Sequence, residues 1–412
     1  MNSITNEQCN IILRNYLRHE RYKIINYNVG NTSEDSLGFL SVSSTLDIKF
    51  LIYNEIKEVR FFIKFLPNTD YQLNLVKTAN CFKKESAFFG ELFSGIREFL
   101  SYKSIPDCYL KDNETVLVFE DLKLSGYKTC SAYDIDLKHI YAAIKSLADI
   151  HAASLLYEHK IGKTFDQIFP EEILRPWFCE INDYPGYKET LAAAKIISLI
   201  IDKYFKNYTE NVINKAIFLC KKYCYFLQNK SKKYRNVITH LDLWCNNMMF
   251  KYDENGDVEN GMIIDFQTYG YNPPALDLLI LIYCNLERNK REVNMPKFLD
   301  FYYKCLNDNI KNHSNNPDDI MIKKEEFMAS VDESLPIALA SGALFIHSSI
   351  VPENELIPVI SDIEKLKKYW EDDRSIVLEF MEKYENYRNR VLQTVEDLLE
   401  GVMEEEEKLK NS

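Results

Sequence analysis

Residues 238–267 read ITHLDLWCNNMMFKYDENGDVENGMIIDFQ, and this stretch decides the fold. His240-x-Asp242 is followed by Asn247 five residues after the aspartate, and Asp265 stands just after Ile263-Ile264. MMFKY (248–252) and GMIIDF (261–266) are short strand-like runs. They flank DENGDVEN (253–260), where Asn255-Gly256 and Asn260-Gly261 are turn signals, so the segment is expected to form a hairpin. The hairpin would return Asp265 toward the loop that carries Asp242 and Asn247. Singly, each of these residues is ordinary: an Asp in a turn, an Asn in a cap, an Asp at a strand end. Jointly they match the needs of phosphoryl transfer, which calls for positioning and charge neutralisation. One carboxylate (Asp242, beside His240) accepts or orients the proton of an attacking hydroxyl. A carboxylate and an amide oxygen (Asp265 and Asn247) suit Mg²⁺, which prefers oxygen ligands.

Working outward, the region upstream supplies the remaining parts. FLSVSSTLDIKFLIY (39–53) and VRFFIKFLP (59–67) read as two antiparallel strands around a polar turn, NEIKE (54–58), with Pro67 ending the second. Alternation puts Lys64 on the face of Phe62, opposite Ile63 and Phe65. A helix is expected over 79–99 from the spacing of Phe82, Phe89, Leu92 and Phe93, and Glu85 lies on it. A buried Lys64–Glu85 ion pair that grips nucleotide phosphates accounts for both residues. No G-x-G-x-x-G is present; Gly30, Gly38, Ser41 and the polar run NTSEDS (31–36) stand where a phosphate loop belongs. After a strand at 115–120, the backbone around Glu120 and Leu122 is placed to read an adenine edge. From about residue 131 the pattern turns helical, with helices expected near 140–154, 187–205 and 209–229 and through most of the remainder.

The chain has 412 residues, 46% apolar and 13% aromatic, with 12 Gly and 12 Pro, which fits two unequal globular lobes rather than a disordered or fibrous protein. These are 1–120, β-rich and nucleotide-binding, and 121–412, helical, catalytic and acceptor-binding. A net charge of −12 argues against a nucleic-acid partner. Ten cysteines show no repeated spacing, and Cys220 and Cys224 read as buried thiols on one helix face. The start of the chain has no apolar signal core, which points to the cytoplasm. The apolar stretch 335–351 is interrupted by Pro336, Gly342 and His347 and reads as a buried helix, not a membrane span.

LVFEDLKLSGYK (117–128), LADIHAAS (147–154), THLDLWCNNMMF (239–250) and MIIDFQ (262–267) resemble the ecdysteroid kinase-like (CHK kinase-like) proteins of insects, relatives of the aminoglycoside and choline phosphotransferases. The resemblance covers roughly residues 30–350. It implies an α+β, bilobal protein-kinase-like fold, a small-molecule acceptor, and ATP with Mg²⁺ as cofactors. It implies Asp242 as catalytic base and Asn247 and Asp265 as metal ligands. It also implies a Lys64–Glu85 pair and Asp277, in PPALDLLIL (273–281), as a support of the catalytic loop. Asp-Phe-Gln replaces the Asp-Phe-Gly of protein kinases. The family usually has His-Gly-Asp where this chain has His240-Leu241-Asp242, so Leu241 is expected to strain the loop or wall the acceptor. Two alternatives stand beside a kinase of hydroxylated lipophilic compounds such as ecdysteroids. One is a choline- or ethanolamine-type kinase; the other is a catalytically weakened binding protein of the same fold.

Overall fold

The computed structural model describes residues 3–19, 21–30, 40–112, 115–372 and 374–411. It divides into two compact units. The first comprises Met1–Gly95, Ile105–Lys128 and Ile264–Gln267; the second comprises Ile96–Ser104, Thr129–Ile263 and Thr268–Ser412.

The first unit is built on a five-stranded antiparallel sheet. Its strands are β1 (Lys23–Val29), β2 (Val42–Ile52), β3 (Glu55–Phe65), β4 (Cys108–Asp112) and β5 (Val116–Glu120), in the order β1-β2-β3-β5-β4. Alternation sets the two faces. Leu46, Ile48 and Phe50 of β2, Phe61, Ile63 and Phe65 of β3, and Val116 and Val118 of β5 close one core with Ile12 and Leu13 of the helix Asn6–Leu17. That helix is started by a capping box between Thr5 and Gln8.

The β2–β3 turn is tighter than the sequence indicates. Ile52 pairs with Glu55, so NEIKE lies mostly in β3 and the turn is Tyr53-Asn54, with φ of 51° and 64°. Two consecutive left-handed residues match the twist of a hairpin, and this outweighs the polar character of the following residues. The helix expected over 79–99 is interrupted. Cys81–Ala87 is α-helical, Phe88–Leu92 is a π-turn, and a short α-turn and a 3₁₀ turn end at Phe99.

In the second unit the helix Leu137–Ile161 is the central element. Asp136 caps its start and Gly162, at φ 67°, ends it. The expected hairpin forms with its second strand shifted toward the turn: Met248–Tyr252 pairs antiparallel with Val258–Ile263, Met248 facing Ile263, so 258–260 join the strand and Asp265 lies beyond its end; Gly256 takes the left-handed turn position at φ 80°. The hairpin packs closely on the central helix. A Cβ on Gly261 would lie 3.0 Å from the Ala142 carbonyl oxygen, and Ser146 Oγ donates to the Gly261 carbonyl. The helices expected near 187–205 and 209–229 are Pro185–Tyr204 and Glu210–Gln228.

The apolar stretch 335–351 lies mostly within the helix Lys324–Ser349, whose Ala338, Ala343, Leu344 and Ile346 are buried. By length and composition Pro317–Ser349 could cross a membrane, but 61% of its apolar window is buried inside the unit, as in a core helix. All ten cysteines are free thiols. Cys220 and Cys224 are buried, and burial pushes both thiols up to about 12.

Candidate active site

The first unit gathers three of the expected residues. β3 alternates Phe61, Ile63 and Phe65 into the core, which turns Lys64 to the other face; the lysine is only 5% exposed. Its Nζ donates to Glu85 Oε2 and to Asp265 Oδ1, both at 2.7 Å. Burial works to depress the ammonium, but the two carboxylates overcome it and hold Lys64 above its usual range. Glu85 is itself buried. Desolvation raises its carboxyl to about 7 against the opposing pull of Lys64. Asp265 thus supports the charge on Lys64 while its own negative charge adds to the rise of Glu85.

Asp265 adopts φ 67°, a left-handed backbone that few residues besides Gly, Asn and Asp accept. The segment is anchored by the next residue, since the Phe266 ring stacks on Phe88 with centroids 4.0 Å apart. Gln267 Nε2 donates to Asp265 Oδ2 at 3.4 Å, while its buried Oε1 has no hydrogen-bond partner among the described residues. Of the expected nucleotide residues, Gly38 lies outside the described residues. Ser41 directly precedes β2 and is half-buried. Glu120 is tied to Asp107: its N–H donates to the Asp107 carbonyl, and its Oε1 accepts from the Asp107 N–H. The Leu122 carbonyl accepts from Tyr127 N–H.

The second unit gathers the other four. The strand Val237–Thr239 pairs with Gly270–Asn272 and delivers the chain into the His240–Asn247 loop. Asp277 lies in the first turn of the otherwise mostly apolar helix Pro274–Asn285 and is fully buried. Its Oδ2 accepts the His240 N–H at 2.6 Å and its Oδ1 the Leu241 N–H at 2.8 Å. Thr268 Oγ1 donates to the His240 carbonyl, and Asn285 Nδ2 donates to the Leu243 carbonyl. With both peptide groups gripped, Leu241 is held at φ 64°. A leucine there is a true outlier, so the strain expected of this position is present. The Leu241 side chain is 2% exposed and packs on Gly270, where an added Cβ would lie 2.8 Å from its Cδ1.

Asn247 closes the loop. Its Nδ2 donates to the Asp242 carbonyl at 2.8 Å and to Asp242 Oδ2 at 2.7 Å. The amide oxygen is thereby turned away from Asp242, and nothing among the described residues donates to it. The Asp242 N–H donates to His240 Nδ1 at 3.3 Å.

Two supports escaped sequence reasoning. His151 is fully buried, with Nε2 3.2 Å from Asp277 Oδ2 and Nδ1 2.7 Å from the Tyr302 hydroxyl. Its signal was its place in LADIHAAS on an apolar helix face, where a polar side chain needs a buried partner. Gln267 likewise drew notice only as a departure from glycine.

Among the described residues no group of three or more His, Cys, Asp or Glu side chains forms a metal site. The donors present are the Asp265 carboxylate and the Asn247 amide oxygen. The first belongs to one unit and the second to the other, and each is a hard oxygen donor of the kind that Mg²⁺ prefers.

Residues 38–314 match the Ecdysteroid kinase-like family, and the chain belongs to that family of small-molecule kinases. No curated protein sequence matches it. Among solved structures it is similar to an ethanolamine kinase of Plasmodium vivax, at 13% identity and TM-score 0.38 over 90% of this chain and 91% of that one. A microcompartment-associated aminopropanol kinase is similar at 12% identity and TM-score 0.38, covering 83% and 98%. An ADP-bound aminoglycoside phosphotransferase is similar at 16% identity and TM-score 0.30, covering 83% and 100%. Likenesses this loose decide nothing about substrate.

Proposed function

We propose that the chain transfers the γ-phosphoryl group of ATP, with Mg²⁺, to a hydroxyl of a lipophilic small molecule such as an ecdysteroid. The observation that carries this is the pair of constellations, each built from distant parts of the chain: Lys64–Glu85–Asp265 in one unit and Asp242–Asn247 braced by Asp277 in the other. In this role Lys64, fixed by Glu85, binds the phosphates, and Ser41 assists it. The backbone at Glu120 and Leu122 meets the adenine. Asp265 and the Asn247 amide oxygen hold Mg²⁺, which neutralises phosphate charge. Asp242 takes the proton of the acceptor hydroxyl as its oxygen bonds to phosphorus and ADP leaves. His240 and Asp277 set the position of that carboxylate. The protein works in the cytoplasm, where ATP is supplied.

Purified protein is incubated with γ-labelled ATP, Mg²⁺ and steroid, sugar and amino-alcohol acceptors, beside Asp242→Asn. Label should pass to a hydroxylated lipophilic acceptor. The variant should lose about 10²–10⁴-fold in turnover while keeping nucleotide binding. Transfer to amino alcohols alone would replace the substrate class. Mg·ATP binding without transfer to any acceptor would make the protein a binder, and variant turnover within a few-fold of wild type would remove Asp242 as base.

A further inference from the structure

Gln267 is more than 90% buried, yet only half of its amide is satisfied. Nε2 faces the carboxylate of Asp265, and this fixes the orientation of the amide, because a carboxylate accepts and cannot donate. Oε1 is therefore the amide atom turned from that carboxylate, and among the described residues it has no hydrogen-bond partner. A buried acceptor left bare in a folded protein calls for an occupant that the polypeptide does not supply. The two oxygens of Asp265 are already engaged, Oδ1 by Lys64 and Oδ2 by Gln267. The carboxylate is thus oriented from both sides by the chain itself.

We propose that Gln267 is a positioning residue for the metal assigned to Asp265. Its Nε2 sets the carboxylate, and its Oε1 accepts a hydrogen bond from a water in the metal's shell. This rests on the kinase function proposed above. Mg²⁺ and Mn²⁺ keep several waters when held by one or two protein ligands, so such a shell offers donors in need of an acceptor. Partners of this kind orient the ligand and typically change metal affinity by about 10–100-fold. A glycine at this position, as in Asp-Phe-Gly, provides neither group.

The test uses the full chain with Mn²⁺ as a paramagnetic probe, titrated by electron spin resonance with and without ADP, and ADP affinity measured in chelator. Gln267→Leu should weaken Mn²⁺ binding to the ADP complex by about tenfold or more. Its metal-free ADP affinity should stay within about twofold of wild type. Gln267→Glu, which keeps an acceptor oxygen but loses the donor to Asp265, should weaken Mn²⁺ binding less than Gln267→Leu does. Mn²⁺ affinity of Gln267→Leu equal to wild type would overturn the proposal, as would an equal loss of metal-free ADP binding, which marks a general packing defect. If the leucine variant does not fold, Gln267→Met takes its place: a loss of about tenfold or more in Mn²⁺ affinity supports the proposal and wild-type affinity overturns it. Wild type without any Mn²⁺-dependent ADP binding would sink the kinase function together with this role; wild-type binding with an unaffected leucine variant sinks this role alone.

Discussion

Leu241→Gly should be more stable than Leu241→Ala, the reverse of the usual order. Both variants empty the same buried site, and truncating a leucine in such a place costs about 2–5 kcal/mol. The difference between them isolates the backbone. At an ordinary position glycine is the worse of the two by about 0.5–1 kcal/mol, through the entropy of the unfolded chain. At φ 64° any residue with a Cβ carries a left-handed penalty of about 1–2 kcal/mol, which glycine escapes. The two terms oppose, and the strain is the larger, so glycine should win by about 1 kcal/mol. The loop has no cheap way to relax in the alanine variant, because Asp277 holds the N–H groups of His240 and Leu241. Urea unfolding followed by tryptophan fluorescence measures the difference, provided the two variants share one slope. A glycine variant less stable than the alanine variant would refute a strained Leu241 and the grip of Asp277 that imposes it.

Lys64→Met should destabilise the protein by about 3 kcal/mol at pH 8, because it strands buried Glu85, with a lesser term for the 29%-exposed Asp265 side chain. The loss should shrink at pH 5.5, where Glu85 takes up a proton; equal losses at both pH values in urea melts would contradict the geometry. Asp277→Ala should cut kcat by at least tenfold while ADP affinity stays near wild type, since it frees the Asp242 loop and leaves the Lys64 cluster untouched. Parallel losses in both would show global unfolding instead. Burial raises Asp149 to about 6 against the N–H groups of Ser101 and Tyr102 and the Ser104 hydroxyl, which favour its charged form. A carboxyl raised above its unfolded value of 3.8 contributes stability fully below about pH 4, and this is lost as pH rises through 6. The wild type should therefore lose up to about 3 kcal/mol over that window relative to Asp149→Asn; parallel pH profiles for the two proteins would count against it.

Local pattern carried a large share of this protein. Period-two alternation is enough to place Phe61, Ile63 and Phe65 inside and Lys64 on the far face, because successive strand residues point to opposite sides. The hairpin at 248–263 is likewise written in two short apolar runs around Asn255-Gly256. Fixed spacing alone joins Asp242 to Asn247, since five residues of loop bring the amide back to the carboxylate. Other features depend on partners that no window contains. Asp265 lies 201 residues from the lysine it binds, and His151 lies 126 residues from Asp277. The π-turn at Phe88–Leu92 and the two-residue turn at Tyr53-Asn54 override helical spacing and polarity respectively. Leu241 is legible in the sequence as a departure from the family's glycine, but the two hydrogen bonds from its own loop to buried Asp277 that hold it in a glycine-like backbone are not. Side-chain periodicity tells which face of an element loses water. Which distant donor meets which acceptor on that face is settled only when the chain closes, because a buried polar group must then take whatever partner the packing brings within reach.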